Sequence, residues 1–338
     1  MKKNLFIVAS PLQFLNAIEA REYFKTSNNI LILIYNSQLN QVDFEQKQNI
    51  LIESDWDEVI EYDLGKIAKK KRFFEQVSLV KQLKKDSYEY LFSGDFGTIQ
   101  QMIMANVKVD KIYLLDDGTA SIVIYKKLQD KDFFQNISFS KKMKLYRYLL
   151  MGLDYKIKQD INFFTIYNLQ TLDHIEVIQH NFSYLKEHAL KECKKTDTIY
   201  VLGQNIAEVG YIKEDVYLEY LHKIIEKFDG NIIYKPHRSE KITVAYESLE
   251  SERFSIDREI SQGPIETSLI ANKIYPSVII SFFSSALFSL DKIFDDSAIY
   301  AIKIKEDDFI VKDKNIKNVI QSCYDFLAGT SVQYIDLK

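Results

Sequence analysis

The chain has 338 residues, room for two domains of ordinary size, and 46% of them are hydrophobic. Lys and Arg number 44 against 48 Asp and Glu, and the resulting net charge of −4 offers nucleic acid no basic footprint. Its two cysteines, Cys193 and Cys323, lie far apart without metal-ligand spacing, which excludes a disulfide framework and suits a reduced compartment.

The opening MKKNLFIVASPLQFLNAIEA starts like a secretion signal, but Asn16, Glu19 and Arg21 follow the short apolar run too closely, and a first strand fits it better. NLFIVAS (4–10) is that strand, with Ser10 as a helix cap and Pro11 at the first helical position. ILILIY (30–35), DEVIEYD (57–63), YEYLFSG (88–94) and KIYLLD (111–116) predict four more strands. Helical periodicity fills 11–25, 39–53, 68–85 and 97–106. This alternation predicts right-handed crossovers and a mostly parallel sheet over residues 1–160.

A basic, aromatic helical insert covers about 133–160, and 161–195 reads as a connection. A second α/β pattern fills 196–338, with strands at 198–203, 231–236, 277–281 and 297–303. Its helices fall at 214–228, at 264–272, from about 284, and at 314–328, the last with the option of crossing back to the first domain. The longest uncharged stretch, 274–290, has 17 residues with a proline and five serines, too short and polar to span a membrane. A cytoplasmic protein is expected. The basic stretches 66–85 and 139–160 are solvated helix faces or surfaces for the inner face of the cell membrane.

Open parallel sheets bind ligands at the carboxyl ends of their strands, so two successive α/β domains predict a cleft there. Asp116-Asp117-Gly118 ends a strand. One carboxylate there can accept a proton from an attacking hydroxyl, and the second raises its proton affinity; a plain solvated turn is the competing reading. Lys235-Pro236-His237-Arg238 ends another strand, and its basic side chains suit an anionic ligand or an ordinary polar loop. Ser284 and Ser285 open a helix, where hydroxyls and free N–H groups hold anions or merely cap. Gly203 and Gln204 end strand 198–203 and read as a plain turn or as backbone approach with a base- or sugar-reading amide. Glu266, in a helix opening at Gly263-Pro264, is placed for ribose hydroxyls or for the positive helix end. Phosphate loops of the G-x-x-x-x-G-K-[ST] and G-x-G-x-x-G types are missing. The strings Asp55-Trp56-Asp57 and Asp130-Lys131-Asp132 read as surface acids rather than metal ligands.

Taken together, Asp116-Asp117-Gly118, His237 and Ser284-Ser285 resemble the acidic, His-Pro and Ser-Ser motifs of bacterial sialyltransferases of the GT-B type. The likeness is to the lipooligosaccharide sialyltransferases of glycosyltransferase family 52 and the related capsule polysialyltransferases. VASPLQFLNAIEA and VLGQNIAEV look like this group too. Here proline precedes the histidine, as Pro236, instead of following it. The resemblance implies two Rossmann-like domains and inverting, metal-independent transfer of sialic acid from CMP-sialic acid to a surface glycan. It implies Asp116 as base, Asp117 as its support, and His237, Ser284 and Ser285 on the CMP phosphate with Lys235 beside them. Gly203, Gln204 and Glu266 would hold cytidine or ribose, with Gly94, Asp95 and Gly118 on the acceptor side. The family allows a homodimer. A related transferase using CDP-glycerol and a non-catalytic glycan-binding subunit are the competing functions.

Overall fold

The computed structural model describes residues 2–38, 55–130, 133, 139–237, 239–258 and 264–337. The chain divides into two compact units, Met1–Leu185 and Lys186–Lys338. The expected helix over 39–53 lies outside the described residues, as do Lys131, Asp132, Arg238 and Gly263.

The first unit holds a seven-stranded sheet in the order β3-β2-β1-β4-β5-β6-β7, all parallel. The strands are β1 (Lys3–Val8), β2 (Asn29–Tyr35), β3 (Glu58–Asp63), β4 (Ser87–Ser93), β5 (Lys108–Leu114), β6 (Ile161–Thr165) and β7 (Val177–Gln179). Between them run α1 (Pro11–Tyr23), α2 (Arg72–Leu83), α3 (Thr98–Asn106), α4 (Ala120–Leu128) and α5 (Phe139–Leu150), with α6 (Ser183–His188) after β7. Every side chain of β2 is buried, the mark of a parallel strand covered on both faces. Ser10 caps α1 as expected, accepting the Gln13 N–H at 3.3 Å, and Pro11 occupies the first turn where its missing N–H costs nothing.

One expectation changes here. Residues 161–179, read as a connection, supply β6 and β7 to this sheet. The run INFFT is short, but all five side chains are buried, and pairing with β5 satisfies its backbone.

The second unit holds a six-stranded parallel sheet in the order β10-β9-β8-β11-β12-β13. Its strands are β8 (Lys194–Leu202), β9 (Ile232–Lys235), β10 (Phe254–Ile256), β11 (Ile274–Ser281), β12 (Ala298–Ile302) and β13 (Gln333–Ile335). Its helices are α7 (Glu214–Lys227), α8 (Val244–Glu247), α9 (Ile265–Ala271), α10 (Ala286–Ile293) and α11 (Lys314–Leu327). The register of β11 against β8 shifts between Pro276 and Val278, as a residue without an N–H requires. The last helix, offered above as a crossing element, belongs to this second unit. It is the crossover from β12 to β13, and the Tyr324 hydroxyl pins it by donating to the Ile302 carbonyl at 3.0 Å and accepting the Ile304 N–H at 3.2 Å. Among the described residues, no helix is long and apolar enough to cross a membrane.

Candidate functional site

Each sheet has one topological switch point, where successive crossovers leave in opposite directions and the strand ends part to form a crevice. In the first sheet it lies between β1 and β4, followed by Ser10 and by Gly94-Asp95. In the second it lies between β8 and β11, followed by Gly203-Gln204 and by Phe283-Ser284-Ser285. Gly94, Asp95, Gly203, Gln204, Ser284 and Ser285 therefore sit where a parallel sheet offers a ligand site.

In the first unit the acid turn follows β5. Gly118 adopts φ +59°, a conformation that L side chains resist, and so turns the chain into α4. Asp116 is only 1% exposed. Its Oδ1 accepts the Thr165 hydroxyl at 2.7 Å and its Oδ2 the Ile166 N–H at 2.7 Å, both from the end of β6, with Ser121 as a further donor. Burial outweighs these donors and pushes the carboxyl up to about 7, with Asp117 adding repulsion. Asp117 is half-buried and lines a small recess with Gly94, Asp95, Leu115 and Ser121. Its Oδ1 accepts the Ser10 hydroxyl at 3.3 Å, and its N–H donates to Ser121 Oγ at 3.1 Å. The structure thus brings Asp116, Asp117, Gly118, Gly94 and Asp95 to one strand-end region.

His180 stands behind this turn. It is buried and stacked on Phe164 at 4.3 Å, and its Nε2 lies 3.9 Å from Asp116 Oδ2. Burial drives its pKa down to about 3, so the ring is neutral and the pair is no ion pair. Nδ1 accepts the Phe182 N–H at 3.4 Å, which leaves the proton on Nε2, facing the carboxylate.

In the second unit three loops converge through one buried network. Gln204 Oε1 accepts the Phe283 N–H at 3.0 Å, which ties the two loops of the switch point together. The Gln204 N–H donates to Tyr217 Oη at 3.0 Å, and that hydroxyl meets Tyr234 Oη at 3.0 Å. Tyr234 donates to Glu240, which also accepts the Tyr246 hydroxyl at 3.2 Å and, through Oε2, the His237 N–H at 2.8 Å. Burial raises the Glu240 carboxyl to about 7. His237 is half-buried, and its Nδ1 accepts the Ser239 N–H at 3.2 Å. The neutral ring therefore carries its proton on Nε2, as a donor. Ser284 Oγ accepts the Ala286 N–H at 3.3 Å, whereas Ser285 is exposed and makes no side-chain cap bond.

Two candidates are internal. Lys235 Nζ is paired with Asp257 at 2.8 Å and reaches Ser268 Oγ at 3.4 Å. Glu266 is buried, bonded by the Ser289 hydroxyl, and held above the ordinary carboxylate range by desolvation, so it ties α9 to α10. Glu240 was not singled out from sequence; its signal was a lone acid three residues after His237 in a strand-end loop. In the string Asp55-Trp56-Asp57, Asp57 accepts the Asn29 N–H at 2.7 Å and Trp56 packs against Phe6 at 5.0 Å. Among the described residues, no group of three His, Cys, Asp or Glu is arranged to hold a metal ion.

Gly203 explains itself in this setting. A Cβ there would lie 2.2 Å from Glu240 Oε2 and 2.5 Å from Tyr234 Oη, both held in the network. Gly203→Ala is expected to cost about 1–3 kcal/mol by overpacking, read by urea denaturation. A wild-type midpoint would mean that the network is loose.

The two raised carboxyls also fix a sign. Both have folded values near 7, above their unfolded values, so the folded state binds more protons from about pH 4 to 7. Their contribution to stability is therefore lost as pH rises through 7. The melting temperature is expected to be higher at pH 5.5 than at pH 8, and scanning calorimetry at the two values checks it.

Several solved structures are similar across nearly the whole chain. The α/β-galactoside α-2,3-sialyltransferase of Photobacterium phosphoreum aligns with TM-score 0.50 and 14% identity, covering 98% of each chain. The spinosyn forosaminyltransferase SpnP aligns with TM-score 0.53 and 8% identity, over 99% of this chain and 86% of that one. A putative UDP-N-acetylglucosamine 2-epimerase from Listeria monocytogenes aligns with TM-score 0.52 and 10% identity, over 97% and 88%. At such identities the likeness is one of fold, and the fold is GT-B, with two Rossmann-like units. No curated protein sequence matches the chain. Residues 33–306 match the family model of glycosyltransferase family 52, and the chain belongs to that family of glycosyltransferases.

Proposed function

We propose that this glycosyltransferase moves sialic acid from CMP-sialic acid to a hydroxyl of a surface glycan, lipooligosaccharide or capsule, with inversion and without a metal ion. Membership of family 52 and the resemblance of its three motifs support the reading. The observation that carries it is the second unit's loop cluster. His237 offers an Nε2–H donor beside the switch point where Ser284 and Ser285 open α10. A side-chain N–H donor together with hydroxyls at a helix end suits a leaving phosphate of modest charge.

In this reading His237 Nε2 and Ser285 Oγ donate to the CMP phosphate as the glycosidic bond breaks. Gln204 reads the nucleoside. Lys235 contributes through Asp257 and Ser268, and Glu266 through its tie to Ser289, rather than by touching the donor. Asp116 takes the acceptor's proton. A base works best with a pKa near the operating pH, and about 7 meets that need. A carboxylate has roughly four acceptor positions, so the Thr165, Ile166 and Ser121 bonds orient it without exhausting it. Its burial does not disqualify it, because catalytic hydrogen bonds form only once substrate is bound. Asp117, on the recess with Gly94 and Asp95, holds the acceptor hydroxyl, and the buried His180 ring packs behind Asp116. The oxygen–anomeric carbon bond forms as the carbon–phosphate-oxygen bond breaks, through an oxocarbenium-like state.

A donor panel tests the assignment: CMP-sialic acid, CDP-glycerol and UDP-sugars, each with galactoside and glycerol-phosphate acceptors, followed by nucleotide release. Acceptor-dependent CMP release from CMP-sialic acid alone is expected. Glycerol phosphate transfer from CDP-glycerol would move the protein to the polymerase reading, and donor binding without turnover to a binding subunit.

A further inference from the structure

Two stretches far apart in sequence form one face of the first unit. Phe73 of α2 lies 4.4 Å from the Arg147 guanidinium of α5 and 4.9 Å from the Tyr148 ring. The Tyr148 hydroxyl donates to Gln76 Oε1 at 2.8 Å. Leu145 and Tyr148 are the buried side of α5. On its other side Met143, Tyr146, Leu149 and Leu150 are 59, 54, 40 and 73% exposed. At 3.6 residues per turn these four fall within about 120° of the helix, so they make one ridge rather than a scatter of apolar residues. On α2, Phe74 is 60% exposed, and the exposed Lys69, Lys70 and Lys71 lead into that helix.

Both stretches are strongly basic in sequence. Residues 66–85 and 139–160 together carry fourteen basic side chains and three acidic ones, net +11 in a chain of net −4. A large exposed apolar ridge marks an interaction surface, and a basic rim selects what it meets.

We propose that this face of α2 and α5 docks on an anionic lipid surface. The ridge of Met143, Tyr146, Leu149 and Leu150 enters the boundary between headgroups and acyl chains, as an in-plane amphipathic helix does. Lys69, Lys70, Lys71 and Arg147 meet the lipid phosphates. A second copy of the chain fits less well. A twofold interface sets a face against itself, and here that would oppose two strongly positive surfaces. The assignment stands whether or not the donor is CMP-sialic acid.

Vesicle flotation of the full chain tests it, with phosphatidylcholine alone and with added phosphatidylglycerol. Binding is expected only with phosphatidylglycerol, and to weaken at least tenfold in about 0.5 M salt, where charges are screened beyond roughly 4–5 Å. The variants Tyr146→Glu/Leu150→Glu and Lys69→Glu/Lys70→Glu are each expected to bind at least tenfold more weakly. All four side chains are exposed, so the variants should fold, which circular dichroism checks. Failure of the wild type to float with phosphatidylglycerol, or undiminished binding by the ridge variant, overturns the proposal. So does a wild-type dimer that Leu150→Glu splits, which would give the face to a second copy.

Discussion

An Asp116→Asn variant is expected to lose about a thousandfold in kcat, the midrange for removing a general base. The amide retains the size of the side chain and an acceptor for Thr165 but turns an NH2 toward the Ile166 N–H, so the loss is read as proton transfer once circular dichroism shows the variant folded. Asp117→Asn should cost less, roughly ten- to a hundredfold, because an amide still hydrogen-bonds an acceptor hydroxyl. The reverse ranking would transfer the base role to the half-buried Asp117. The pH profile gives an independent reading. A base must be ionised to act, and the Asp116 carboxyl is pushed up to about 7. The wild-type kcat/KM should therefore fall as pH drops through about 7. A profile flat down to pH 5 would contradict the assignment.

His237→Ala is expected to lower kcat by about a hundred- to a thousandfold, the cost of removing one donor from a developing anion. The reason lies in the loop. Ser239 N–H occupies Nδ1 and Glu240 holds the His237 backbone, so the ring's proton is placed on Nε2, as a donor. His237→Gln keeps a side-chain N–H at nearly the same reach and should recover part of the loss. Equal losses for both variants would mean that imidazole titration, not donation, is what the reaction uses.

The sequence made some of this legible and hid the rest for physical reasons. Strands buried on both faces, such as ILILIY and SVIIS, announce themselves as unbroken apolar runs, and their ends locate Asp116, Gly203, His237 and Ser284. Three of the four edge strands do not. β7, β10 and β13 have three residues each, too few for any periodicity, and only pairing makes them strands. Residue type likewise showed which side chains have chemistry but not which way they turn. Lys235 and Glu266 looked like ligand-binding groups and are bonded inward to Asp257 and Ser289. Glu240 and His180 looked incidental. They prove to be buried behind His237 and Asp116 because of loops that return from β9 and β7. That pairing of a strand-end group with a buried partner from a later loop is a tertiary fact, beyond the reach of spacing.

The central claim is sialyl transfer, and one reaction examines it directly. Purified protein is incubated with CMP-sialic acid and a galactoside in EDTA, and the mixture is followed by NMR. The account predicts one sialoside per CMP released, with the anomeric configuration inverted from that of the donor. A retained configuration, a strict need for a divalent cation, or CMP release without sialoside would contradict it.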